Sequence, residues 1–104
     1  MSETKITLYR FVAEPHYIDA GGRSVLHHVS VVLKSYLAHR ETPKGYWIHA
    51  DTERFVLKEA KKRFAYPTKE GALLNFALRT EKRVKFLTLY LEVSKMALAE
   101  LKKL

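Results

Sequence analysis

Residues 5–13 read KITLYRFVA, and Ile6, Leu8 and Arg10 alternate with Thr7, Tyr9 and Phe11. A two-residue period rich in β-branched and aromatic side chains predicts a first strand, which Glu14-Pro15 is expected to stop. Asp19-Ala20-Gly21-Gly22 follows as a turn or loop. Residues 24–40, SVLHHVSVVLKSYLAHR, fit two different periods. Val25, Val29, Val32, Leu33, Tyr36 and Leu37 make a helical stripe, whereas Val25, Val29, Val31 and Leu33 share one face of a strand. Valine content and the lack of helix caps favour the strand.

Glu41-Thr42-Pro43-Lys44-Gly45 carries proline and glycine in the order of a tight reversal. Residues 46–49 and 54–57 are then two short strands, a hairpin across residues 50–53. Residues 58–63 form a charged connector with room for one helical turn. Phe64-Ala65-Tyr66 should be extended, because Pro67 biases its predecessor away from helix.

The last third gives the clearest signal. Thr68 is a good N-cap, Glu70 suits the first turn, no proline follows, and the only glycine there is Gly71. A helix over residues 69–103 would be about 50 Å long at ~1.5 Å per residue. A compact domain of this size has a radius of gyration of only about 13 Å, so the helix should overhang. Val84, Leu87, Leu91, Ser94, Leu98 and Leu101 make one apolar stripe, which Leu73, Ala77 and Thr80 extend toward the N-terminus. Phe86, Leu89, Val93 and Met96 make a second. One stripe can lie on the chain's own sheet. The other calls for a partner, most simply a second copy through a coiled-coil-like seam of Val84, Leu87, Leu91, Leu98 and Leu101. The competing arrangement is a helix broken near residues 79–83 into two that pack together. The expected fold is α+β: one domain over residues 1–104, with a β-rich part at 1–67 and a long amphipathic helix at 68–104. Its antiparallel sheet of four or five strands would pack on that helix.

Composition narrows the function. With 104 residues, 47% hydrophobic, the chain has the length and apolar content of a single globular domain. It has no cysteine, which excludes disulfide frameworks, cysteine-type zinc fingers, iron–sulfur clusters and thiol nucleophiles. A polar start with no signal peptide and no apolar run of membrane-spanning length lead us to expect a cytoplasmic protein without a membrane partner. The formal net charge is +8. Residues 1–52 hold six basic and five acidic side chains, and residues 53–104 hold thirteen and six. The surplus gathers in Arg54, Lys58, Lys61, Lys62 and Arg63, and in Arg79, Lys82, Arg83 and Lys85. These nine are the candidate residues for a polyanion or an acidic partner.

Catalytic chemistry finds little support. The histidines (His16, His27, His28, His39 and His49) lack a metal-ligand spacing, and His27 and His28 on a strand should point to opposite faces. Asp51 with Glu59-Ala60-Lys61 loosely follows a nuclease arrangement, but at short spacing. No serine has a histidine or aspartate at a meaningful distance, and no phosphate-binding glycine loop is present. No catalytic residue, metal or cofactor is expected. Tyr46, Trp47, Phe64 and Tyr66 lie among the basic residues and could stack on single-stranded nucleic acid, although three of the four are expected inside the fold.

Two segments carry a resemblance. Residues 41–48, ETPKGYWI, and residues 62–73, KRFAYPTKEGAL, resemble a group of small, mostly uncharacterised proteins of tailed phages and prophages. In that group the same turn is followed by KRFAYPTKEEAL and a basic C-terminal helix; Thr7-Leu8-Tyr9-Arg10-Phe11 is similar too. Gly71 stands where the group has glutamate, which weakens the first helical turn. The resemblance implies a phage-encoded, non-enzymatic accessory protein acting in the host cytoplasm. It would bind a host protein or nucleoprotein complex, as an anti-CRISPR-like inhibitor of host defence does. The alternative is direct nucleic-acid binding by the basic half.

Overall fold

The structure, a computed structural model, describes residues 6–104; Lys5, the expected start of the first strand, lies outside them. The elements are β1 (Thr7–Ala20), β2 (Arg23–Glu41), β3 (Gly45–Ala50), β4 (Thr52–Leu57) and α1 (Lys69–Leu101). The strands form one antiparallel sheet in the order β1-β2-β3-β4. The fold is α+β, and residues 24–40 are strand.

The first strand does not stop at Pro15. It continues to Ala20, pairing with β2 along its whole length. β1 is an edge strand, and the N–H and C=O of Tyr9 both point outward, where they bond to Tyr66 at 2.6 and 2.8 Å. Alternation then aims the backbone of Pro15 outward as well, so its missing N–H removes no ladder bond. At the hairpin tip Gly21 and Gly22 both take positive φ, 63° and 82°, as a two-residue turn between right-twisted strands requires. The Asp19 carboxylate accepts from the Gly22 N–H at 3.1 Å.

A bulge opposite His16 shifts the register so that Tyr17 faces Leu26 and His28 faces His16. His27 is the extra residue. A bulge reverses the parity of everything beyond it. Val25 therefore leaves the face shared by Val29, Val31 and Leu33, where the simple period had placed it, and Leu26 joins that face.

The core is small. Leu8, Ile48, Ala50, Val56 and Ala65 are its buried residues, with Ile6, Tyr36, Ala38, Tyr46 and Phe64 packed around them. Two short turns build its far side. Thr42 and Gly45 exchange backbone hydrogen bonds across Pro43-Lys44, and Asp51 (φ 64°) turns β3 into β4. Aspartate tolerates that left-handed conformation better than most residues. Residues 58–63 are turns and bends and form no helical turn.

Helix α1 is continuous for 33 residues, so the broken arrangement does not occur. Thr68 caps it, its hydroxyl accepting from the Gly71 N–H at 3.0 Å. The sheet-facing side differs from both expected stripes. Ala72 is buried and Asn75, Phe76 and Arg79 half-buried, whereas Leu73, Ala77 and Thr80 are exposed. Only these first three turns rest on the sheet, against β1. Every residue from 80 to 104 is exposed. On the β side, residues 13–29 are exposed likewise. The molecule is thus a small body with two arms, a hairpin and a helix, measuring 72 × 33 × 24 Å with a radius of gyration of 19.7 Å.

Candidate binding surfaces

The nine candidate cations do not form one patch. Four are occupied within the fold. The Arg54 guanidinium lies 4.0 Å from the centre of the Phe64 ring, and Arg10 lies 4.5 Å from the same centre. Arg10 also donates to the Phe64 carbonyl at 2.8 Å. Burial, and after it the positive charge of Arg79, lowers the Arg10 pKa from its ordinary value. Lys58 donates to Glu41 at 2.6 Å and lies over Tyr46. The hydrogen bond from its ammonium to that carboxylate raises the lysine's pKa. Arg63 donates to the Ala60 carbonyl at 2.8 Å and sits beside Tyr66.

Arg79 is a strut. Its Nη2 donates to the Phe11 carbonyl at 2.5 Å, bridging helix and edge strand, and its buried Nε has no hydrogen-bond partner among the described residues. The remaining candidates, Lys61, Lys62, Lys82, Arg83 and Lys85, make no ion pair or side-chain hydrogen bond among the described residues. They fall into two groups: Lys61 and Lys62 on the connector, and Lys82, Arg83 and Lys85 on the exposed helix.

The aromatic residues suit stacking on bases poorly. Tyr46, Phe64 and Tyr66 each have a cation of this chain at the ring, and Trp47 pairs with Phe55 at 5.0 Å. Three of the four were expected inside; instead all four are half-buried. Trp47 lies on the face of β3 opposite Tyr46, Ile48 and Ala50, away from the core.

The bulge also corrects the reading of the histidines. The His27 and His28 rings come within 5.1 Å, and His28 stacks on His16 at 4.3 Å. His16 pairs with the Ser30 hydroxyl at 3.0 Å. Among the described residues no group of three or more histidines and carboxylates is placed to hold a metal ion, and no helix is long and apolar enough to cross a membrane.

One surface escaped the sequence reading. On β1, alternation puts Phe11, Ala13, Pro15 and Tyr17 on one face, and their partners on β2 are Leu33, Val31, Val29 and Leu26. All eight are apolar or aromatic, and six of them are exposed. The opposite face is mixed: Arg10, Glu14, His16, His28, Ser30 and Lys34 share it with Val12, Val32, Ile18 and Val25. The signal lay in the alternation itself, hidden by the proline stop and the bulge. The exposed helix is apolar around more of its circumference than one stripe would give. At about 100° per residue, its two stripes with Tyr90 and Ala97 between them span roughly 240° of arc, broken by Lys82, Arg83 and Glu100. Lys85, Thr88, Glu92, Lys95 and Lys102 fill the polar remainder.

No protein-family model, curated protein or solved structure matches the chain.

Proposed function

We propose that this is a non-enzymatic, phage-encoded accessory protein that binds a host protein or nucleoprotein complex in the host cytoplasm, as an anti-CRISPR-like inhibitor of host defence does. The observation that carries this reading is the helical arm: Lys82, Arg83 and Lys85 are unpaired and stand directly beside exposed Val84, Phe86 and Leu87. An exposed arginine and phenylalanine, Arg83 and Phe86, are residue types enriched in protein–protein interfaces, and the flanking lysines suit an acidic partner. The phage origin rests on the resemblance alone.

Direct nucleic-acid binding is the second reading, favoured by the net charge of +8. It is weakened because four of nine candidate cations and three of four candidate stacking rings are engaged within the fold. Affinity capture from host lysate, with and without nuclease, separates the two. A partner that survives nuclease and is lost when Lys82, Arg83 and Lys85 are changed to glutamate is the expected result. Capture that nuclease abolishes would favour nucleic acid.

A further inference from the structure

The chain exposes far more surface than a folded monomer of its mass. A 12.1 kDa globular protein has an accessible area of about 6,000 Å². Here the area is 8766 Å². The excess, about 2,700 Å² per chain, is the scale of what each partner buries in a large obligate homodimer. Both arms expose apolar residues: Leu89, Met96 and Leu98 on the helix and Tyr17, Leu26 and Val31 on the hairpin are each more than half exposed. Soluble monomers rarely leave an apolar patch of more than a few hundred Å² uncovered.

The two apolar surfaces are complementary in kind. One is an apolar face of the first hairpin, the other a helix whose mainly apolar arc exceeds half its circumference, and helix-on-sheet is a standard way to close a layered core. Within one chain they do not meet, because residues 80–104 and 13–29 are exposed. Each copy therefore carries both halves of an interface. A two-fold axis lets two copies satisfy each other and closes the assembly. A two-helix seam uses one stripe only, so a simple coiled coil would leave the second bare.

We infer that the occupant is a second copy of this chain, in an interlocked homodimer. The stripe of Val84, Leu87, Leu91, Leu98 and Leu101 meets its counterpart on the partner's helix. The stripe of Phe86, Leu89, Val93 and Met96 lies on the apolar hairpin face, Ala13, Pro15, Tyr17, Leu26, Val29 and Val31, of the other copy. The polar arc, with Lys85, stays in solvent, and a host partner that engages Val84, Phe86 and Leu87 has to displace the second copy from them.

Sedimentation equilibrium of the purified full-length chain at micromolar concentration should give about twice 12.1 kDa. A monomer mass, or a mass of three or more copies, would overturn the proposal. The lack of native cysteine makes cross-linking specific. Leu91 lies near the middle of the exposed helix, so two copies of Leu91→Cys should link on oxidation whether the helices run parallel or antiparallel. Differently tagged Val29→Cys and Val93→Cys chains, unfolded and refolded together, should form a mixed disulfide dimer well above the yield of either chain alone. Linking through Leu91→Cys without the mixed product would overturn the helix-on-hairpin contact. These substitutions leave the seam apolar, and circular dichroism identifies any variant that fails to fold so that Leu98→Cys and Val31→Cys can replace it.

Discussion

Gly45 has no room for a β-carbon. It lies where the turn after β2 enters β3, and a Cβ built there would sit 2.7 Å from the Phe55 ring and nearer still to the Val56 carbonyl. The ring could rotate, but the carbonyl belongs to the strand that pairs Tyr46 with Val56. Gly45→Ala should therefore destabilise the protein by about 1–3 kcal/mol, the usual cost of forcing atoms into a filled space. Urea denaturation should show a lower midpoint at an unchanged slope; an unchanged midpoint would mean that β3 and β4 separate freely at this end. Residue-scale reading of the sequence marked Gly45 as a turn residue, and it does close the turn with Thr42, but the stronger constraint on it lies elsewhere. It has no positive φ, and its role is the close approach of Phe55, ten positions along the chain. A spacing of that kind is not visible until the hairpin has been closed.

At the scale of elements, the signals that survived were local. Thr68, Glu70 and the lack of proline placed α1 almost to the residue, because caps and breakers act within one turn. The first hairpin was truncated because a proline ends a strand only where its N–H would have been needed, and an edge strand has a side where it is not. Neither edge position nor bulge can be read from a period. The docking of α1 was also misjudged, since neither apolar stripe is the side that touches the sheet. Ala72 is small enough to be buried there, Phe76 is half-buried with Arg79 over its ring, and Arg79 reaches the outward carbonyl of Phe11. Arg79→Gln is expected to cost about 1–3 kcal/mol, the range for a hydrogen bond from a charged donor. Limited proteolysis should then cut near the start of α1 sooner, while affinity for oligonucleotides stays as it was. If stability were unchanged and polyanion affinity fell, Arg79 would be a binding residue after all.

At the scale of the molecule, sequence counted the positive charges but could not tell which were spoken for. Arg54 reaches Phe64 and Lys58 reaches Glu41 only because four strands fold up, which leaves Lys61, Lys62, Lys82, Arg83 and Lys85 to act on a partner. Among the nine candidates, these five cations in two separate groups are the ones free to contact phosphates. Neutralising each phosphate releases condensed counterions, so duplex affinity falls with a log–log salt slope of roughly −0.9 per contact, or −0.7 on single strands. With three cations on one exposed helix, the slope should correspond to about two or three contacts, and binding should be sequence-blind and nearly gone by about 0.15 M salt. A protein partner held by the apolar side chains beside those cations should remain bound at that salt, because apolar burial is not screened. Fluorescence-anisotropy titrations of single- and double-stranded oligonucleotides at several salt concentrations measure the slope directly, and changing Lys82, Arg83 and Lys85 to glutamate should flatten it. Submicromolar binding at 0.15 M salt that this triple change abolishes would put the nucleic-acid reading first, with the helical arm as its binding element.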